Sequence, residues 1–120
     1  MKNAIKINVE TQSFEVVKVG NLSDYYKAIG NGCTCFCAPV TFDNGDSVFC
    51  DDEGLYHDNI GGWIMDGFSY PLIGNAVVIG ANDEGDSEDA KTTIEWLEER
   101  VIFIKKNHPA LISYFQEFNY

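Results

Sequence analysis

The sequence predicts a single α+β domain: an antiparallel or mixed sheet of about five strands, packed by one short helix and two C-terminal helices. Three observations predict it. Near the N-terminus Ile5, Ile7 and Val9 alternate with Lys6, Asn8 and Glu10, the period of a half-buried strand. The run Ala76 to Ile79 is apolar throughout and rich in β-branched residues, which marks a strand covered on both faces. Beyond Glu88 the apolar positions move to helical spacing.

Taken in order, the first strand is followed by a turn at Thr11 to Ser13 and a returning strand over Phe14 to Val19, a hairpin. Ser23 is a good N-cap, with Asp24 in the first turn, so a short helix is expected from Asp24 to Ile29, stopped by Gly30. Residues Cys33 to Phe42 look like a third strand, with Pro39 at an edge, a bulge or its end. Asn44-Gly45 is a strong hairpin signal, and Ser47 to Asp51 return as strand four. Between 55 and 70, Gly61, Gly62 and Gly67 punctuate Tyr56, Trp63, Phe68 and Tyr70. Such rings either pack onto the sheet or wall a binding groove. Pro71 to Gly74 is a turn signal leading into the buried strand, and Gly80 ends that strand. A carboxylate-rich loop over Asp83 to Asp89 then leads to a long helix, Glu88 to Lys106, with Ile94, Leu97, Val101 and Ile104 on one face. Pro109 opens a second helix to Phe118 that buries Leu111, Ile112, Phe115 and Phe118. Residues 1–86 are the sheet region and 87–120 the C-terminal helices of one domain.

Charge is distributed unevenly. The net charge is −11, and no Lys or Arg occurs between Lys27 and Lys91, an interval holding twelve acids. The flanking segments are nearly balanced, with four bases to three acids before and four to four after. No basic stripe exists to displace counterions, so direct binding to nucleic acid is not expected. Cations, basic protein surfaces and neutral ligands remain as partners. No apolar run is long enough to span a membrane and the start has no signal-peptide block, so a cytoplasmic setting is expected. In that setting Cys33, Cys35, Cys37 and Cys50 are expected to be reduced and mostly buried. Alternate residues on a strand lie about 6.6 Å apart, too far for the first three thiols to converge on one metal.

Further features carry a family resemblance. Asp51-Asp52-Glu53-Gly54-Leu55 follows a strand. Pro71-Leu72-Ile73-Gly74-Asn75-Ala76-Val77-Val78-Ile79-Gly80 and then Asp83-Glu84-Gly85-Asp86 come later. With the opening Ala4-Ile5-Lys6-Ile7, this pattern resembles a family of small proteins carried by phages and other mobile elements and classed as a domain of unknown function. The resemblance implies a mobile-element origin and brings no activity and no catalytic residues. The cysteine strand and the second C-terminal helix are not part of the pattern.

Two functional readings follow. The leading one is a non-enzymatic accessory protein that binds a basic surface of another protein, in one version as a mimic of nucleic-acid charge. The contact residues would be Asp51, Asp52, Glu53, Asp83, Glu84 and Asp86, with Trp63 and Tyr70 as aromatic contacts, and no metal, cofactor or catalytic residue. The competing reading is a metal-binding module or metal-dependent hydrolase using Asp51, Asp52 and His57, or the 83–89 loop. The loop's spacing does not match a calcium-binding loop, and no phosphate loop, nucleophile elbow or metalloprotease helix is present. His108 precedes Pro109 and marks a helix boundary.

Overall fold

A computed structural model describes residues 1–54 and 57–118. Tyr56, one of the rings in the glycine-rich segment, lies outside the described residues, as do the side chains of Phe115 and Phe118. The elements run β1 (Lys2–Asn8), β2 (Ser13–Val19), α1 (Leu22–Ile29), β3 (Phe36–Thr41), β4 (Ser47–Asp51), β5 (Gly62–Ile64), β6 (Leu72–Ile73), β7 (Ala76–Ala81), β8 (Ser87–Glu88), α2 (Ile94–Arg100), β9 (Ile102–Ile104) and α3 (Pro109–Phe118).

The main sheet has the order β2-β1-β7-β4-β3, every pairing antiparallel, with β8 added to the end of β7. A second, three-stranded sheet has the order β6-β5-β9. Register explains the core. Val16, Ile5, Val78, Val48 and Val40 stand opposite one another across five strands and therefore share a face. That face, with Ile7, Ala76 and Cys50, packs against Trp63, Met65, Leu72 and Leu97 from the small sheet, its connections and α2. The other face carries Ala4, Val19, Val77 and Ile79 under Tyr25 and Ile29 of α1. Strand β7 thus buries both faces, as its unbroken apolar run requires, and Val77 and Ile79 are buried as expected.

Helix α1 begins two residues earlier than the sequence suggests. Asn21, not Ser23, is the N-cap. Its Oδ1 accepts from the Asp24 amide at 3.2 Å, and Asp24 Oδ2 accepts from the Asn21 and Gly20 amides at 3.1 and 2.8 Å. This reciprocal box needs a carboxylate three residues after the cap, and Asn21 has one. The Ser23 hydroxyl donates to Asn21 Oδ1 instead.

The largest departure lies after β7. No long helix follows the acidic loop. Residues Asn82 to Asp86 close a hairpin between β7 and β8, and α2 starts only at Ile94, capped by the Thr93 hydroxyl on the Trp96 amide. Val101 is extended, and Ile102 to Ile104 pair with β5. The β-branched stretch Val101-Ile102-Phe103-Ile104 fits a helical face by spacing, yet completing the small sheet decides its conformation. Likewise Leu72 and Ile73, read as a turn, form β6, and Gly62 to Ile64 form β5. The helices do not share one face, since α1 and α2 cover opposite sides of the main sheet. Helix α3 appears where expected, its first turn held by His108 Nδ1 accepting from the Ala110 amide at 3.1 Å, with Leu111 buried against Gly62.

Two hairpins have the same tip. Phe42 donates its amide to Asp46 O and accepts from Gly45, at 2.8 and 2.9 Å. Asn82 donates to Asp86 O and accepts from Gly85, at 2.9 and 3.0 Å. Both glycines sit at positive φ, +93° and +88°, as the closing position of a three-residue hairpin loop demands.

Candidate functional site

Strand β4 ends in the first acidic cluster. Asp51, whose side chain is only 4% exposed, accepts from the Glu53 amide at 2.9 Å through Oδ1 and meets His57 Nδ1 at 2.5 Å through Oδ2. Asp52 and Glu53 are exposed on the turn. Beside them a cavity of about 200 Å3 is lined by Cys37, Cys50, Asp51, Asp52, Tyr70 and Ile73. Tyr70 is half exposed and lines the same cavity as Asp52.

Burial disfavours the thiolate form of Cys33, Cys37 and Cys50 next to it. Burial, and then the Asp51 charge, push the Cys33 thiol up to about 11. Cys37 and Cys50 stand directly opposite each other on β3 and β4, and burial raises both. A thiolate needs a cation or an imidazole beside it, whereas Cys33 faces the carboxylate that holds the imidazole. Among the described residues no three His, Cys, Asp or Glu side chains converge as a metal site. All four cysteines are free, but the expectation of burial holds fully only for Cys50. Cys33 is half-buried and Cys35 exposed, because regular pairing begins at Phe36 and leaves residues 33–35 outside the strand; Cys37 lies within β3, the edge strand, and is half-buried there.

The second acidic cluster occupies the opposite end of the sheet. Ser47 of β4 stands opposite Ile79 of β7, so the chain leaves toward Asp51 in one direction and toward Asp83 in the other. The two triplets, 51–53 and 83–86, are therefore about 25 Å apart along the strands. They do not form one surface. Asp83, Glu84 and Asp86 instead neighbour the twin hairpin tip that exposes Asp43. The buried Asp46 ties the first tip to the segment that leads into α2. Its Oδ2 accepts from the Lys91 and Thr92 amides and the Thr92 hydroxyl at 2.8, 2.8 and 2.7 Å. Its Oδ1 lies over Gly80, where a Cβ would come within 3.2 Å of it and within 2.6 Å of the Asp89 carbonyl oxygen. Only glycine permits that approach.

Trp63 is fully buried and packs on Phe68 at 5.2 Å between ring centroids, so it builds the core and presents nothing to a partner. Sequence reasoning missed another aromatic group. Phe42 and Trp96 lie 5.1 Å apart, and the Arg100 guanidinium carbon stands 4.3 Å from the Trp96 ring centroid. With Asp43, Asp66 and Phe68 they line a groove of about 670 Å3. The near-repeat Asp43-Asn44-Gly45-Asp46 and Asp83-Glu84-Gly85-Asp86 was the available signal that two tips would share a geometry. No sequence signal brings Phe42 to Trp96.

Fold and surface together define a small antiparallel α+β protein with an acidic, hairpin-built end and no assembled catalytic constellation among the described residues. Residues 1–102 match the family described as Domain of unknown function (DUF3846), and the chain belongs to that family. No curated protein and no solved structure matches it. No described helix is long and apolar enough to cross a membrane.

Proposed function

We propose that the chain is a non-enzymatic accessory protein of a phage or other mobile element, acting in the cytoplasm by binding a basic surface of another protein. The acidic hairpin end makes the contact and takes the place of a nucleic-acid backbone. One observation carries this reading: two hairpin tips closed by the same pair of backbone hydrogen bonds stand side by side and expose Asp43, Asp83, Glu84 and Asp86. A rigid array of carboxylates on short loops suits steering and register better than a flexible acidic tail does. The cluster at Asp51 is less suited, because Asp51 is buried and already engaged by His57.

Affinity capture from host lysate at low and high salt tests the reading. D83N/E84Q/D86N is expected to reduce capture and its salt dependence, while D52N/E53Q leaves both nearly unchanged. Capture that is indifferent to salt and to the first variant would overturn it. Metal analysis of the purified protein separates this reading from a metal-dependent one.

A further inference from the structure

We infer that the groove between the first hairpin tip and α2 receives an arginine side chain from an extended segment of the partner protein. The inference rests on the acidic-end reading and names what that end takes hold of. The groove begins at Asp43, on one of the two tips, and its volume of about 670 Å3 falls within the range of ligand sites, roughly 300–1,000 Å3.

Its chemistry selects the occupant. Phe42, Phe68 and Trp96 line the groove with ring surface for an aliphatic stem. Arg100 already shows that this indole accepts a guanidinium, at 4.3 Å from the ring centroid. Arg100 itself is held by the Trp96 carbonyl at 3.1 Å and lies near Glu99 at 3.4 Å, so its charge is partly met within α2. Asp43 and Asp66, both exposed, line the same groove and are available to an incoming cation. Arginine fits this combination better than lysine does, because its planar head both stacks on rings and forks onto carboxylates.

The fold also selects an extended segment. Strand β3 is the last strand of the main sheet, and Pro39, Val40 and Thr41 form one wall of the groove. Among the described residues no strand pairs with the outer edge of β3, and a partner strand can run beside it. Pro39 lacks an amide proton and the register slips between Cys37 and Val40, so backbone pairing is interrupted and the side chains must supply the affinity. A second copy of this chain is a poor occupant. Its only arginine is Arg100, already part of the groove wall, and a net charge of −11 opposes self-association.

The test uses the full chain and a blocked nonapeptide with arginine at alternate positions, beside a counterpart carrying neutral citrulline. Binding is followed by amide shifts and by the Trp96 indole resonance. Shifts confined to residues 41–44, 65–68 and Trp96 are expected, with affinity weakened about tenfold or more both by citrulline and by D43N/D66N. D83N/E84Q/D86N should change this short peptide's affinity by less than about threefold, since those carboxylates do not line the groove. Shifts confined to residues 82–88, or an affinity untouched by D43N/D66N, would overturn the groove and leave the acidic-tip reading standing. Absence of any shift at millimolar peptide also overturns the groove. The acidic-tip reading then stands or falls on the capture experiment alone.

Discussion

Asp46 and Thr92, 46 positions apart, are joined twice: the buried carboxylate oxygen accepts the Thr92 amide at 2.8 Å and its hydroxyl at 2.7 Å. This clasp fixes the start of the α2 approach against the β3–β4 hairpin. Asp46→Ala strands those donors and the Lys91 amide. It should cost about 3 kcal/mol, a fall in Tm on the order of 10 °C. Asp46→Asn keeps an acceptor and should cost less. Thermal melts decide it, and an alanine variant within about 1 kcal/mol of the wild type would remove the clasp as a stabilising feature.

Asn75 plays a similar part at the other end of β7. It is buried, accepts the Val9 amide at 2.9 Å and donates to the Ile29 carbonyl at 3.1 Å, so it ties the end of β1 to the end of α1. Asn75→Ala should lose about 2 kcal/mol. Asn75→Asp is the sharper variant. It places a carboxylate oxygen against the Ile29 carbonyl, so it should be destabilised at pH 7 and recover as acid protonates it and restores a donor. A variant whose deficit is the same at pH 7 and pH 4 would contradict the assignment.

The thiols should label in the order of their exposure. Cys35 reacts first in the folded protein, Cys33 and Cys37 follow slowly, and Cys50 waits for opening of the β3–β4 pair. Because the Cys33 thiol is raised from 9 to about 11, its contribution to stability is complete below pH 9 and fades as pH rises through 11. Mass spectrometry after timed alkylation reads the order, and rapid labelling of Cys50 without unfolding would sink it.

Asp24 sets an acid limit on α1. Amide donation from Asn21, and then from Gly20, holds its carboxyl below the usual 3.8. A lowered value means that the contribution is present above 3.8 and is lost as pH falls further. Carbon-detected NMR titration should place Asp24 below the ordinary value, and Asp24→Asn should flatten the acid limb of the stability profile. A titration at or above 3.8 would contradict the capping box.

What the sequence disclosed depended on how local the cause was. The β1–β2 hairpin, the Asn44-Gly45 turn, β4, the buried β7, the short α1 and α3 were all readable because neighbouring residues decide them. Strands β5, β6 and β9 were not. Each is two or three residues long, and each exists because the others do. Val101 to Ile104 satisfied a helical pattern and still became a strand, since β5 offered an open edge. The acidic residues were visible as a set, but their division between two ends followed from the β4–β7 register alone. Trp63 looked like a contact and proved to be core, because composition cannot say which ring a second sheet will cover.

The bracketing of β7 between β1 and β4 has a consequence for how the chain is made. Its earliest-synthesised strand pairs only with β2 until β7 emerges, about 70 positions later, a wait of several seconds at roughly 5–20 residues per second on the ribosome. During that interval β1 lacks its second hydrogen-bonding neighbour, so one edge of the hairpin stays unpaired. The nascent N-terminal hairpin thus carries an open sheet edge for seconds, and the arrival of a single apolar strand closes it.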